Sequence, residues 1–223
     1  MSREDRKKYF TVILIRHGES TWNFQNKFTG WTDVPLTAKG KSEAIKAANL
    51  MIKEQIPITR VYTSILQRAK QTADIILTVM KKRVILRETW LLNERHYGAL
   101  QGLNKKQTAK KHGLKMVMKW RRSYKEKPPL LDDELSKNTT PPCSGESLED
   151  VYNRVIPYWK GEIRPKILDE NILICAHGNT IRALLKYLFY INDKDIERIE
   201  VKTGKPIICY FDRFLNPIYY EEL

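Results

Sequence analysis

The sequence predicts an α/β fold in three layers, with a mainly parallel sheet covered by helices on both faces. Short continuous apolar runs, such as residues 11–15 and 171–176, stop at polar turns that contain glycine. Such runs are typical of buried strands in a parallel sheet. Segments with apolar residues at helical spacing alternate with these runs, which indicates helices on both faces. A helical insertion is expected around residues 93–145.

The individual elements follow from local patterns, taken in chain order. The predicted strands are residues 11–15, 60–63, 84–86, 171–176 and 207–211. Thr37 and Ser64 are expected to be the N-caps of the first two long helices, because their hydroxyl groups can satisfy free amides at a helix start. A third helix is expected from about Glu146 with a kink at Pro157, and a fourth over residues 179–190. Two segments without an apolar period are predicted to be loops: residues 24–36 and 128–145.

The length and composition favour one sizeable core, since the chain has 223 residues of which 42% are hydrophobic. We therefore expect a single domain over residues 1–223, in which residues 1–9 form a flexible basic tail. The longest apolar runs are far shorter than the roughly 18 residues of a membrane-spanning helix. The start of the chain also lacks the small-residue cleavage site of a signal peptide.

The chain carries a formal net charge of +14, which favours anionic partners: nucleic acid, acidic membranes or phosphorylated small molecules. Residues 105–127, the basic segment, hold ten Lys or Arg and one acidic residue. The default interpretation of such a run is a solvated helical face. The three cysteines, Cys143, Cys175 and Cys209, lack the spacing of a disulfide framework or a zinc motif. Cys175 and Cys209 lie in apolar runs, which fits buried thiols in a reducing compartment.

Two of the predicted strands end in His-Gly. Arg16 and His17 follow the first strand, and His177 follows the run at 171–176. In α/β sheets ligands bind beyond the carboxyl ends of the strands. The two histidines therefore form a candidate catalytic pair, with two unrelated surface histidines as the alternative.

Phosphoryl transfer suits these residue types. A histidine can attack phosphorus when its attacking nitrogen is unprotonated, and its pKa near neutrality permits this. The transferring oxygens require cations, and the guanidinium forks of Arg16 and Arg68 match phosphate oxygens in pairs. Arg68 is expected in the first turn of a helix, where a cation is disfavoured, so it is either solvated or held there to meet an anion. A carboxylate in an enclosed pocket can carry protons near neutral pH, and Glu94 and Glu19 are the candidates.

Metal and nucleotide chemistry fit the sequence poorly. The four histidines have no metal-ligand spacing, so no metal site is predicted. A G-x-x-x-x-G-K-[ST] loop is absent from the sequence, which disfavours binding of nucleoside triphosphates.

The ordered motifs resemble a known family. Residues 16–23, RHGESTWN, resemble the signature of the histidine phosphatase superfamily. Further segments resemble the cofactor-dependent phosphoglycerate mutases within it: residues 29–31, 63–68, 92–98, 100–105, 120–122 and 176–180. The resemblance runs from about residue 10 to residue 220.

The resemblance implies interconversion of 2-phosphoglycerate and 3-phosphoglycerate, primed by 2,3-bisphosphoglycerate and without a metal. It implies that His17 is the phosphorylated nucleophile, that Glu94 donates and accepts protons, and that Arg16, Arg68 and His177 surround the phosphoryl group. The further residues that it places at the substrate are Glu19, Ser20, Asn23, Thr29, Gly30, Arg95, Tyr97, Lys105, Arg121, Arg122, Gly178 and Asn179.

The resemblance also implies partners and location. The expected partners are small-molecule phosphoglycerates rather than nucleic acid or membranes, in a cytoplasmic homodimer or homotetramer. Ser20 favours the glycolytic enzyme, because bisphosphoglycerate mutases tend to have glycine at this position. Residues 216–223 are expected to be a mobile tail near the active site or a frayed end.

One departure concerns residues 123–145, which are shorter than the corresponding segment of longer family members. There the segment helps to cover the site and to exclude water. We therefore expect a larger phosphatase side activity in this chain. Two other functions stay open: a broad-specificity phosphatase on the same fold, and a nucleic-acid-binding module that uses the basic segment.

Overall fold

A computed structural model of the protein describes residues 8–223. The strands are β1 Phe10–Arg16, β2 Arg60–Thr63, β3 Ile85–Glu88, β4 Ile172–Ala176, β5 Pro206–Phe211 and β6 Pro217–Glu222. The α-helices of the described residues are α1 Thr21–Phe24, α2 Ala38–Lys53, α3 Gln67–Val79, α4 Lys105–His112, α5 Leu114–Arg122, α6 Asp133–Lys137, α7 Leu148–Tyr158, α8 Gly178–Leu188 and α9 Asp193–Ile196.

The six strands form one mixed sheet in the order β3-β2-β4-β1-β5-β6. The pairs β1–β4, β2–β4 and β2–β3 are parallel, whereas β1–β5 and β5–β6 are antiparallel. The predicted mainly parallel α/β sheet is confirmed. The central position of β1 and β4 places their carboxyl ends, at Arg16 and Ala176, side by side.

Both faces of the sheet are buried, as the continuous apolar runs predict. Alternate residues of a strand point to opposite faces. Val12 and Leu14 of β1 pack in one core cluster with residues of α7 and α8. Ile13 and Ile15 pack in the other cluster with residues of α2 and α3. All four side chains are fully buried, and each such burial contributes about 1.5–3 kcal/mol. The three layers are thereby fixed around β1.

The start of α3 differs from the prediction. Thr37 caps α2 as expected, with its side chain accepting from the Gly40 amide. Ser64, however, is not the N-cap of α3: Leu66 occupies that position without a side-chain hydrogen bond. The Ser64 hydroxyl instead lies 2.7 Å from His177 Nε2. The Ser64 hydroxyl was predicted to cap the helix, but it hydrogen-bonds instead to a residue that is distant in the sequence.

Two further segments contain more regular structure than the sequence indicates. The short helix α6 lies within the predicted loop 128–145. The helix α7 begins after Ser147, whose side chain caps it in a capping box with Asp150. It ends one residue beyond Pro157, and the chain continues as a π-helical turn over Trp159–Ile163. Pro157 therefore lies inside the last turn of the α-helix, and the change in helix type follows it.

Both chain ends require correction. The flexible tail predicted for residues 1–9 falls mostly on residues 1–7, which lie outside the described residues. Tyr9 belongs to the packed structure, with its ring centroid 6.1 Å from that of Tyr210. The tail predicted at 216–223 is wrong, because β6 pairs antiparallel with β5 along the edge of the sheet. Tyr210 and Tyr219 stack at 4.6 Å, so cross-strand packing orders this end.

No helix within residues 8–223 is both long enough and apolar enough to span a bilayer.

Candidate active site

A cavity of about 130 Å³ opens beyond the carboxyl ends of β1 and β4. Thirteen residues that the sequence proposed for the site line it: Arg16, His17, Asn23, Thr29, Gly30, Arg68, Glu94, Tyr97, Lys105, Arg121, Arg122, Gly178 and Asn179. They come from the two central strand ends, the loop after α1, the start of α3 and the insertion. The cavity is therefore built at the sheet edge where the two His-Gly motifs meet.

His17 directly follows β1 and is 2% exposed. Its Nδ1 lies 2.7 Å from the Gly18 carbonyl oxygen. A carbonyl only accepts hydrogen bonds, so Nδ1 carries the proton and Nε2 carries the lone pair. Burial, followed by the charges of Arg68 and Arg16, holds the pKa of His17 well below its ordinary value. His17 is thus neutral at pH 7, and its Nε2 is unprotonated.

Arg68 binds that unprotonated nitrogen, because its Nε donates to His17 Nε2 at 3.3 Å. Its other two nitrogens donate to the carbonyls of Thr32 at 3.0 Å and Gly30 at 2.7 Å. It is 1% exposed, which excludes the solvated alternative left open by the sequence. Burial lowers the pKa of Arg68 to about 10, so it remains a cation at neutral pH. Gly30 is at φ +55°, and a Cβ there would meet the Gln101 side chain at 1.8 Å.

His177 packs edge-on against His17, with ring centroids 5.0 Å apart. The Ser64 hydroxyl oxygen accepts from the Leu66 amide at 3.2 Å and lies 2.7 Å from His177 Nε2. The other ring nitrogen, Nδ1, is buried and has no hydrogen-bond partner within residues 8–223. His177 therefore presents one unpaired ring nitrogen close to His17.

Glu94 belongs to the insertion and lines the same cavity as His17. It is 8% exposed. Its Oε1 accepts from the Arg95 amide at 2.8 Å and from the backbone and side-chain nitrogens of Asn179 at 3.1 and 2.9 Å. Its carbonyl is fixed by Trp31 Nε1 at 2.6 Å and Arg154 Nη2 at 3.0 Å. One carboxylate oxygen is thus saturated by donors, and Oε2 is the one left to exchange a proton.

Arg16 supplies a further donor. Its Nη1 donates to the Val201 carbonyl at 2.8 Å, which fixes the plane of the guanidinium group. Its Nε is buried without a hydrogen-bond partner among the described residues. The unpaired Nε–H is suited to an anionic ligand.

The insertion supplies the cationic wall of the cavity through Lys105, Arg121 and Arg122. Burial is the main cause that lowers the pKa of Lys105 and of Arg121. None of the three forms an ion pair with a carboxylate in the described part of the chain. Burial acts to raise the pKa of Tyr97, but the charge of Arg95 and its hydrogen bond outweigh burial and lower it. The positive charge of this wall is therefore available to bind an anion.

Four proposed site residues do not line the cavity. His177 lies behind His17, as described above. Ser20 is the N-cap of α1 and donates to Asn23 Oδ1 at 2.9 Å. Arg95 is fully buried and lies over the Tyr97 ring. Glu19 bonds Lys39 at 2.9 Å and Thr37 at 3.0 Å, so the geometry favours Glu94 as the proton carrier.

Three residues that line the cavity were not predicted from the sequence: Arg182, Glu200 and Val201. Arg182 is 3% exposed. Its Nη1 donates to Asn179 Oδ1 at 2.9 Å, and its Nη2 donates to the Arg122 carbonyl at 2.8 Å. Its position one helical turn after Asn179 was a signal that could have identified it. Glu200 and Val201 lie in an irregular segment where no local pattern points to the site.

The short segment 123–145 takes no part in the cavity lining, although all its residues are described. It packs instead on the turn after Glu94, where the Pro129 carbonyl accepts from the Ala99 amide at 2.8 Å. Outside the cavity, the remaining lysines of the basic segment are exposed, as expected for a solvated face: Lys106, Lys110, Lys111, Lys115, Lys119, Lys125 and Lys127. No group of three or more possible metal ligands was found within residues 8–223.

A neutral buried histidine among guanidinium groups, at the carboxyl edge of an α/β sheet, defines a protein that transfers phosphoryl groups through histidine. Comparison with known proteins agrees with this class. Residues 12–213 match the histidine phosphatase superfamily (branch 1). The fold is shared with a mycobacterial hydrolase (TM-score 0.74, 20% identity, 96% of this chain and 97% of that one). It is also shared with a mycobacterial glucosyl-3-phosphoglycerate phosphatase (TM-score 0.73, 22% identity, 95% and 96%).

Curated relatives are more similar in sequence. A 2,3-bisphosphoglycerate-dependent phosphoglycerate mutase of Blochmanniella floridana is 46% identical over 224 residues, covering 94% of this chain and 96% of the relative. A relative with the same enzyme name in Lactiplantibacillus plantarum is 46% identical over 228 residues, covering 95% and 98%. The chain therefore belongs to the histidine phosphatase superfamily and, within it, to the family of these mutases.

Proposed function

We propose that this chain interconverts 2-phosphoglycerate and 3-phosphoglycerate by way of a phosphohistidine at His17. The observation that carries the proposal is the neutral His17, whose unprotonated Nε2 accepts a hydrogen bond from the buried cation Arg68. A nucleophile of this kind needs no general base. The family relationship supports the same glycolytic activity, since the relatives are named as phosphoglycerate mutases.

The residues divide the work of the reaction. Phosphorylated His17 gives its phosphoryl group to the free hydroxyl of the bound phosphoglycerate while Glu94 takes up the hydroxyl proton. His17 then takes the phosphoryl group from the oxygen on the other carbon of the bisphosphorylated intermediate, and Glu94 returns a proton to that leaving oxygen. Arg16, Arg68 and His177 stabilise the charge that spreads over the transferring oxygens.

The donor set fits 2,3-bisphosphoglycerate, the cofactor in the relatives' names. This compound carries two phosphates and a carboxylate, and the cavity offers cations at two places. Arg16 and Arg68 would hold the group next to His17, whereas Lys105, Arg121 and Arg122 would hold the anionic groups at the other end. When bound, 2,3-bisphosphoglycerate supplies the phosphoryl group that first loads His17.

Phosphorus NMR of 3-phosphoglycerate with purified protein in EDTA tests the proposal, with and without trace 2,3-bisphosphoglycerate. We expect 2-phosphoglycerate to appear, to depend on the trace primer and to be absent with His17→Ala. Circular dichroism of the variant controls for folding. Formation of inorganic phosphate in place of 2-phosphoglycerate would keep His17 but make the enzyme a phosphatase. Full activity of the His17 variant would overturn the assignment of the nucleophile.

The proposal extends to assembly and location. We place the enzyme in the cytoplasm, which fits its unpaired cysteines, with Cys175 and Cys209 fully buried. We also propose a homodimer or homotetramer. Strand β3 supports this, because it lies at the sheet edge and exposes about half of Ile85. Light scattering after size-exclusion chromatography distinguishes these states from a monomer.

A further inference from the structure

A second cavity, of about 380 Å³, lies at the opposite end of α8 from the catalytic cavity. Its volume is within the range of small-molecule sites, about 300–1,000 Å³. The residues that line it come from the π-helical turn, the end of α8 and the β5–β6 hairpin: Trp159, Lys160, Arg164, Tyr187, Leu188, Tyr190, Phe211, Leu215, Asn216 and Pro217. None of these residues takes part in the proposed function.

The cavity combines aromatic rings with positive charge. Lys160 Nζ lies 5.1 Å from the centre of the Tyr187 ring. Arg164 donates to the Phe214 carbonyl at 3.2 Å, which anchors its guanidinium group at the rim. All residues that line the cavity are described, and neither Asp nor Glu is among them. The lining therefore attracts anions, and it offers π-faces on which a planar ring can stack.

Trp159 leaves one donor unused at this cavity. The side chain is fully buried and stacks on Phe211 with ring centroids 6.0 Å apart. Its indole Nε1–H has no hydrogen-bond partner among the described residues. Buried indole nitrogens are usually paired, and an unpaired buried donor costs about 1–3 kcal/mol. Because the indole is closed to solvent, it supports the cavity from behind and does not offer a contact for a polar group of a ligand.

The backbone around the cavity is irregular at three places. Trp159–Ile163 forms a π-helical turn, a rare feature that is frequent at functional sites. Tyr190 has φ +53° and Leu215 has φ +61°, in the left-handed region that favours glycine. Tyr190 follows the end of α8, where glycine is the common residue, and it is 88% exposed. Such strain clusters at ligand sites, and here all three features border one cavity.

We propose that this cavity binds a small anion with a planar ring, of the nucleoside monophosphate class. The base would stack on Tyr187 and Tyr190, and the phosphate would meet Lys160 and Arg164. The site is separate from the catalytic cavity, so the inference goes beyond the proposed function and does not depend on it.

Isothermal titration calorimetry with AMP and UMP tests the site. The protein is the full chain with His17→Ala, saturated with 3-phosphoglycerate so that the catalytic cavity is occupied. We expect dissociation constants below about 1 mM for at least one nucleotide. Ribose 5-phosphate lacks the planar base and adenosine lacks the phosphate, so each should bind at least about tenfold more weakly than the nucleotide. Failure of both nucleotides to bind below about 1 mM overturns the proposal, as does equal binding of ribose 5-phosphate.

Matched variants locate the binding. Lys160→Gln should weaken nucleotide binding by about tenfold or more, the loss expected for a charged hydrogen bond. Lys166→Gln removes the same charge six residues further along, outside the lining, and should change the affinity less than about twofold. Tyr190→Ala should weaken binding without unfolding the protein, because its ring is exposed. Equal affinity in the Lys160 and Lys166 variants would overturn the proposal. Mutase activity should be unchanged when either substitution is made in the chain that keeps His17.

Discussion

At the scale of single residues, hydrogen bonds decide which nitrogen and which oxygen can react. The Gly18 carbonyl fixes the proton of His17 on Nδ1, whereas Ser64 occupies Nε2 of His177 and leaves its Nδ1 unpaired among the described residues. Three donors saturate one oxygen of Glu94. In the proposed mechanism, His17 therefore reacts through Nε2, His177 faces the phosphoryl group with Nδ1, and Glu94 exchanges protons through Oε2.

The first prediction concerns Glu94→Gln. Glutamine Oε1 can still accept the three donors, but its other atom is a nitrogen that cannot take up a proton. We expect kcat to fall by about 10²–10⁴, the usual contribution of a general acid–base group. Glu19→Gln is the matched control, because Glu19 lies outside the cavity. Steady-state mutase assays compare the two, and an equal loss in the Glu19 variant would contradict the assignment.

The second prediction concerns Arg182, which we regard as a positioning residue. It holds Asn179 Oδ1, so that the Asn179 amide nitrogen faces Glu94, and it also holds the end of α5 at Arg122. Arg182→Met should lower kcat by about ten- to a hundredfold through misplacement of Glu94. It should also lower the free energy of unfolding by about 1–3 kcal/mol, because buried carbonyls lose their donors.

Lys186→Met is the control for Arg182. Lys186 lies one turn further along α8 and also donates to a carbonyl, that of Ile191 at 2.8 Å, but it is remote from Asn179. This variant should lose stability and keep its kcat. A similar kcat in the two variants would reduce Arg182 to a purely structural role. Urea titrations and steady-state assays provide the two measurements.

At the scale of elements, close packing delivers the site residues. The turn after β1 lies against the start of α2, where a Cβ at Gly18 would be 2.1 Å from the Gly40 carbonyl oxygen. The Gly18 amide also donates to Thr72 of α3 at 3.1 Å. Both contacts hold His17 rigidly at the sheet edge. The segment 123–145, by contrast, packs beside the insertion and leaves the cavity lining to other elements.

The third prediction follows from that segment. With few residues to cover the cavity, water should reach the phosphate on His17 more easily than in longer relatives. We expect faster hydrolysis of the phosphoenzyme in this chain. Labelled 2,3-bisphosphoglycerate loads His17, and loss of label in the absence of phosphoglycerate gives the rate. Equal rates in this chain and a relative with the longer segment would refute the idea, and His17→Ala controls for label bound elsewhere.

At the scale of the whole molecule, the fold buries ionisable groups that the unfolded chain leaves in water. Burial is the main cause that lowers the pKa of His17 and His177 far below the ordinary value, and that lowers the pKa of His96 to about 4. The unfolded chain therefore binds more protons than the folded one below about pH 6.5. Stability is present in full above pH 6.5 and falls as the pH decreases.

The fourth prediction is the size of this loss of stability at low pH. Between pH 7.5 and 5.5, each of the three histidines should lower the free energy of unfolding by about 1.4 kcal/mol, which gives about 4 kcal/mol in total. Urea titrations of the ligand-free protein at the two pH values measure the change in the free energy of unfolding. His96→Asn should reduce that change by about a third. A free energy of unfolding that is independent of pH over this range would show that the three histidines are not buried as neutral groups.

The elements that could be predicted from the sequence are those with strong local patterns. Strands β1, β4 and β5 are apolar runs, β2 has Val61 and Tyr62 at its centre, and Thr37 is an ordinary helix cap. Strand β6 was missed because its order comes from pairing with β5, and Ser64 was misassigned because its partner is 113 positions away. The helical spacing from Asn179 could have identified Arg182, but only tertiary contacts show that it also joins the end of α5.

The sequence by itself determined the fold class, the family and most of the residues around the cavity. These depend on short-range patterns: apolar runs, turn residues and ordered motifs. Only the tertiary structure decided which nitrogen of His17 is unprotonated, that Glu94 rather than Glu19 lines the cavity with His17, and that Arg68 is buried. Those properties depend on hydrogen bonds and burial between segments far apart in the chain, and no local pattern encodes them.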